Sequence, residues 1–247
     1  AGKQGRRTSY LPLKIHQFIS QTNTVHVTLE PPGVREIVCD EAKYIKKDGE
    51  ERDLYPVLFS RHTGVDFLCV TLDGDNGRIR PRDPDDLSVQ TTKKDVVDTA
   101  RHSGTPINTE TFPRGYVLFE KDLWSDDDEE DLPNSWFKKS KKDPRLEDYY
   151  RARLPRAIHF DPDGRFSWEA GKKYPLAGWY IPAKLMIDPT CGGIYDERSK
   201  EYTKLMRLGN EGRSTATTVL SHSVIGKLTE QGLGDQRNKL LSFTDNR

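Results

Sequence analysis

Cysteine is scarce in this sequence, and so are long apolar runs and any excess of charge of one sign. The three cysteines, Cys39, Cys69 and Cys191, lie far apart and in no C-x-x-C pair. That argues against a disulfide framework and against a four-ligand zinc site. No stretch approaches the roughly 20 apolar residues that span a bilayer. Residues 1–9 (AGKQGRRTS) are polar and basic, unlike the apolar core of a secretion signal. The expectation is a cytoplasmic chain with no membrane partner. The 39 Lys and Arg offset 39 Asp and Glu. Zero net charge excludes the broad basic excess of a domain held on nucleic acid by charge alone, while leaving room for a local basic face.

Hydrophobic residues are few as well. They make up 34% of the 247 residues against 32% charged, with a mean hydropathy of −0.80. A chain of this length is one large domain or two small ones, and its core is thin for that size. Either long loops dilute it or it packs against something else. Four Trp, nine Phe and ten Tyr still supply core nuclei.

Several catalytic patterns are missing. Asp40-Glu41-Ala42-Lys43 follows the apolar Ile37-Val38-Cys39 and so resembles a strand ending in a DEAx box, whose Asp holds Mg²⁺ in nucleoside triphosphatases. That chemistry needs an upstream G-x-x-x-x-G-K-[ST] phosphate cradle, and none precedes Asp40. The string reads instead as a strand end followed by a charged turn. The six histidines include no pair at i, i+3 or i+4, so no helical metal pair exists. No G-x-S-x-G elbow occurs. The acidic run 126–131 (DDDEED) lacks the alternating carboxylates and turn glycine of a Ca²⁺ loop. With the basic block at Lys138, Lys139, Lys141 and Lys142 it reads as a solvated, disordered loop.

What is present is a series of short strands. Val25, Val27 and Leu29 alternate with Thr24, His26 and Thr28 in a half-buried strand, which Pro31-Pro32-Gly33 ends. Residues 34–39 (VREIVC), 55–59 (YPVLF) and 67–72 (FLCVTL) continue the pattern, and Asp48-Gly49 is a turn dipeptide. The first 75 residues thus predict a small antiparallel sheet. Residues 73–115 are rich in Gly and Pro, with a weak helix near Lys93 to Arg101. Further strands are expected at 116–120, 157–160 and 178–181, a short helix at 144–153, and a turn at Asp161-Pro162-Asp163-Gly164. The strongest helical pattern is 213–231, where Ala216, Leu220, Val224 and Leu228 recur every four residues. It leads into an apolar strand at 239–244 (KLLSFT), a helix–strand unit that needs neighbouring strands to complete a sheet. The helix opens with Gly209-Asn210-Glu211-Gly212-Arg213-Ser214, residues that suit either ordinary N-capping or the binding of a phosphate.

These last residues carry a resemblance. The string LGNEGRSTATTVLSHSVIGKL, then KLLSFTDNR, is similar to the entry into the second RecA-like domain of large superfamily 2 DEAD/DEAH-type helicases with a C-terminal cysteine-rich helicase-associated domain. Their relatives include mitomycin-repair and phage-defence helicases. SFTDNR looks like helicase motif IV. Less sharply, LPLKIHQFISQTNTVHVTLEP (11–31) is similar to the segment leaving the first RecA-like domain, and YPVLFSRHTGVDFLCV (55–70) to the strand pair after it. Some relatives carry a C-x-x-C zinc knuckle there; here Ser60, Arg61, His62 and Thr63 stand in its place.

The resemblance implies an internal piece of an ATP-dependent DNA translocase. Residues 1–30 would be a bridge leaving the first RecA-like domain, 31–208 a β-rich irregular insertion, and 209–247 the start of the second RecA-like domain, an α+β chain overall. ATP and Mg²⁺ would serve the whole motor, and this piece alone would not hydrolyse ATP. Its partners would be DNA, the remaining helicase domains and other defence-system subunits. The matching residues Ser242, Phe243, Thr244, Asp245, Asn246 and Arg247 would bind or support nucleic acid, with Arg213, Ser214 and Thr215 as further phosphate contacts. The competing expectation is a non-enzymatic interaction module whose β-rich middle and charged loop dock a partner protein.

Overall fold

The computed structural model describes residues 24–40, 42–47, 49–86, 92–138, 144–171 and 173–207. They form a mostly β structure with one large antiparallel sheet and two short helices. The candidate residues at 213–215 and 242–247, the 216–228 stripe and the expected helix at 11–19 lie outside the described residues.

In chain order the strands are β1 (Val25–Val27), β2 (Ile37–Val38), β3 (Tyr44–Lys47), β4 (Glu50–Asp53), β5 (Tyr55–Ser60), β6 (Asp66–Asp73) and β7 (Arg78–Pro81). Helix α1 (Lys93–Ser103), β8 (Arg114–Leu118), β9 (Phe137–Lys138), β10 (Arg145–Leu146), α2 (Asp148–Arg151) and β11 (Arg156–Phe160) follow. The series ends with β12 (Phe166–Ser167), β13 (Leu176–Pro182), β14 (Ile187–Asp188), β15 (Gly193–Ile194) and β16 (Leu205–Met206). The main sheet runs β12-β11-β13-β8-β6-β5-β1-β2. Strand β7 extends the β5 side of β6, and β16 extends the β1 side of β5.

The strands close on themselves. Strand β6 pairs with β8, β8 with β13, β13 with β11 and β11 with β12. The turn between β11 and β12 then bridges back to β7, through Arg78 opposite Arg165 and an Ile79 N–H that donates to the Gly164 carbonyl at 2.6 Å. The seam requires glycine. Gly164 has φ +82°, and a Cβ there would fall 2.6 Å from the Ile79 carbonyl oxygen.

Alternation along the strands separates two cores. Leu68, Val70 and Leu72 of β6 join Val117, Ile158, Phe160, Tyr180 and Ile79 on the enclosed face. Phe67 and Cys69 of β6 join Tyr116, Leu118 and Ile181 on the opposite face, which residues 183–205 cover with Leu185 and Leu205. The buried tyrosines keep hydrogen bonds: Tyr180 donates to the Phe112 carbonyl at 2.7 Å and Tyr55 to the Ile79 carbonyl at 3.1 Å.

Several elements differ from the sequence expectation. The β-rich region is built on one ten-stranded sheet, with β3–β4, β9–β10 and β14–β15 as separate two-stranded pairs, and the described residues are mostly β, with no RecA-like α/β unit evident among them. The acidic run Asp126–Asp131 forms a 3₁₀ helix rather than a disordered loop. Leu132 and Trp136 beside it are buried with Leu146, Leu154, Met186 and Ile187, and Trp136 stacks on Tyr150 at 4.7 Å. That apolar anchor, with Arg151 bonded to Glu129 at 3.1 Å, holds the acidic segment against the fold while leaving most of its carboxylates in solvent. Residues 144–153 hold a two-residue strand and a four-residue helix rather than one helix. Helix α1 begins where expected because Thr92 and Asp95 form a capping box, and Gly104 ends it in the left-handed conformation.

Candidate functional site

The segment 183–207 has little regular structure, yet much of it is tied to the sheet by polar contacts. Lys204 is fully buried. Its ammonium donates to the Leu185 carbonyl at 2.6 Å and lies 3.3 Å from Glu201 Oε2. Glu201 Oε1 in turn accepts from Tyr116 Oη at 2.8 Å and from the Leu185 N–H at 2.9 Å. Burial pulls the Lys204 ammonium pKa down, and Glu201 opposes that pull. At the other end, two tight turns face each other. Ser60 Oγ donates to Asp188 Oδ2 at 2.6 Å, both residues fully buried, and Thr63 and Thr190 hydroxyls meet at 2.7 Å. Among the described residues no cluster of three His, Cys, Asp or Glu is placed to hold a metal.

Between this strap, β8 and the start of α1 lies a cleft of about 1220 Å³. Arg114, Arg153, Lys184, Arg198, Lys200 and Arg207 line it, against the carboxylates Asp85, Glu197 and Glu201. Two of the cations are neutralised locally: Arg207 pairs with Asp85 at 2.6 Å and Arg114 with Asp86 at 3.5 Å. Arg198 and Lys200 are exposed and make no ion pair among the described residues. Lys200 lies 5.8 Å from the ring of Tyr202, which is 62% exposed beside the cleft.

Arg153 is the unusual member. Its residue is 5% exposed, and its guanidinium lies 4.0 Å from the Phe112 ring. It donates to the Lys184 carbonyl at 3.0 Å and to Tyr149 Oη at 3.3 Å, and makes no ion pair among the described residues. Its Nε is buried without a hydrogen-bond partner. Burial lowers its pKa, with Tyr149 and Glu197 acting in the opposite direction. A guanidinium so placed remains charged at neutral pH, and the field it adds to the cleft favours an anion.

Of the DEAK string, Asp40, Ala42 and Lys43 are described, and none of them lines this cleft. The string follows β2, an edge strand of an antiparallel sheet, with Asp40 exposed and no described cradle of backbone amides beside it. The sequence reading missed the six cleft cations because they come from four separated stretches. The one local signal was the basic density of 198–207 (RSKEYTKLMR).

Comparison with protein-family models, with curated proteins and with solved structures finds no match to this chain. No described helix is long and apolar enough to cross a membrane.

Proposed function

We propose that this chain is the β-rich insertion of an ATP-driven DNA helicase or translocase, together with the entry to its second RecA-like domain at 209–247, and that its cleft holds the nucleic-acid backbone. The observation that carries the reading is the cationic cleft, with Arg198 and Lys200 making no ion pair among the described residues at its rim and Arg153 buried in its wall. Phosphates are bound by just such groups, and their affinity comes from released counterions. The exposed Tyr202 ring supplies a stacking surface of the kind single strands use. The motif IV-like Ser242 to Arg247 adds support from the sequence.

ATP and Mg²⁺ belong, in this reading, to the flanking motor domains, where they supply the energy of translocation. This chain contributes grip. The partners are DNA, those motor domains and, in a phage-defence setting, further subunits of the system; the compartment is the cytoplasm. The test joins the chain to its flanking sequence. The joined protein hydrolyses ATP with stimulation by DNA, while the chain alone binds DNA and releases no phosphate. ATP hydrolysis by the chain alone, or its failure to bind DNA at low salt, contradicts the reading.

A further inference from the structure

Two of the cleft's cations are already engaged by carboxylates of one turn. Arg207 pairs with Asp85 at 2.6 Å and Arg114 with Asp86 at 3.5 Å. Both acids belong to 83–86 (DPDD), the turn that follows β7 and Arg82. Arg82 is 3% exposed and holds the turn to the sheet. Its guanidinium donates to the Asp83 carbonyl at 3.0 Å and the Pro84 carbonyl at 3.4 Å, and also to the Val70 and Gly115 carbonyls of β6 and β8. Within the turn, Asp83 Oδ1 accepts from the Asp85 N–H at 2.8 Å, and the Asp83 carbonyl accepts from the Asp86 N–H at 3.0 Å. The backbone is thus fixed, while the Asp85 side chain is 82% exposed and lines the cleft with the two arginines.

We infer that Asp85 and Asp86 form an autoinhibitory contact: their carboxylates occupy Arg207 and Arg114 in place of phosphates, and a strand must displace them to engage every cation of the cleft. Exposed ion pairs of this kind are weak, so a polyanion can exchange for them. A cation that stays paired with a carboxylate neutralises no phosphate and releases no counterion from the strand. The masked cleft therefore binds more weakly, and with a shallower salt dependence, than its cations would allow.

This inference rests on the nucleic-acid reading, and one titration separates the two. Fluorescence anisotropy follows the whole chain binding a labelled single-stranded oligonucleotide over a range of salt concentrations. Asp85→Asn with Asp86→Asn frees both arginines. The expected result is binding about tenfold tighter at about 0.1 M salt, with a slope of log affinity against log salt steeper by about 1.4. Its thermal unfolding midpoint checks that the fold is intact. A control pair, Asp127→Asn with Glu130→Gln, removes the same charge from exposed positions that do not line the cleft. It should leave affinity within about twofold and the slope unchanged. Parallel salt lines for the native chain and the Asp85→Asn, Asp86→Asn variant, or an equal gain from the control pair, overturn the masking and leave the grip on the backbone standing. Failure of both the native chain and that variant to bind at low salt overturns both readings.

Discussion

The enclosed barrel and the strap that covers it are stabilised by different means. The barrel strands bury Leu68, Val70, Val117, Ile158, Phe160 and Tyr180 on one face, and its polar groups are mostly backbone hydrogen bonds. The strap, 183–207, has only two-residue strands and one short 3₁₀ turn, and it adds to the buried Leu185, Met186, Ile187 and Leu205 the polar contacts of Lys204, Glu201, Asp188 and Lys184. Apolar burial is non-directional and tolerates small shifts, whereas buried polar contacts fix the atoms that make them. The barrel thus supplies stability, and the strap supplies the placement of the charged groups along the cleft.

Substitutions that strike each region separate these roles, beginning with the largest effect. Phe160→Ala opens a cavity in the barrel interior and lowers stability by about 3–5 kcal/mol, read from urea unfolding. Alkaline pH attacks the same structure. Burial raises the Cys69 thiol from 9.0 to about 12, and it raises Tyr116 as well. Because the folded-state pKa is the higher one, the stabilisation is complete below pH 9. It is lost as pH climbs toward 12, where the unfolded chain ionises first. The urea midpoint therefore falls between about pH 8 and about pH 10.5, and Cys69→Ala lessens the fall.

In the strap, Glu201→Gln removes the carboxylate facing buried Lys204 and costs about 2 kcal/mol. Adding Lys204→Met to that variant recovers part of the loss, because no ammonium is then left buried without its partner. Ser60→Ala strips one hydrogen bond from buried Asp188 and costs about 1 kcal/mol. The smallest effect belongs to the cleft rim: Arg198→Ala with Lys200→Ala leaves stability within about 0.5 kcal/mol. A loss as large as that of Phe160→Ala would show that the rim is structural and break the division of roles.

The same contrast governs what the sequence made legible. Strands β1, β5, β6, β8, β11 and β13 could be read from alternating or continuous apolar residues, since burial on a sheet face imposes that pattern directly. The hairpin of β3 and β4 was signalled only by its Asp48-Gly49 turn. Its strands, YIKK and EERD, are too polar to show a buried face. Strand β7 (RIRP) was hidden for the same reason, with Ile79 its single buried residue. The cleft was the least legible feature. Arg114, Arg153, Lys184 and Lys200 are separated by long stretches of sequence, and only closure of the sheet and docking of the strap bring them together. A buried Lys or Arg looks the same in sequence as an exposed one, so Lys204 and Arg153 gave no signal of their placement.

The central claim is that the cleft grips a nucleic-acid backbone, and the salt dependence of binding tests it most directly. Affinity of the chain for a single-stranded oligonucleotide is measured over a range of salt concentrations, for the native sequence and for the Arg198→Ala, Lys200→Ala double variant. Each lost phosphate contact should reduce the slope of log affinity against log salt by about 0.7, so the double variant's slope should be shallower by about 1.4. Parallel lines for the two proteins, with binding retained, would place the contacts elsewhere and contradict the account.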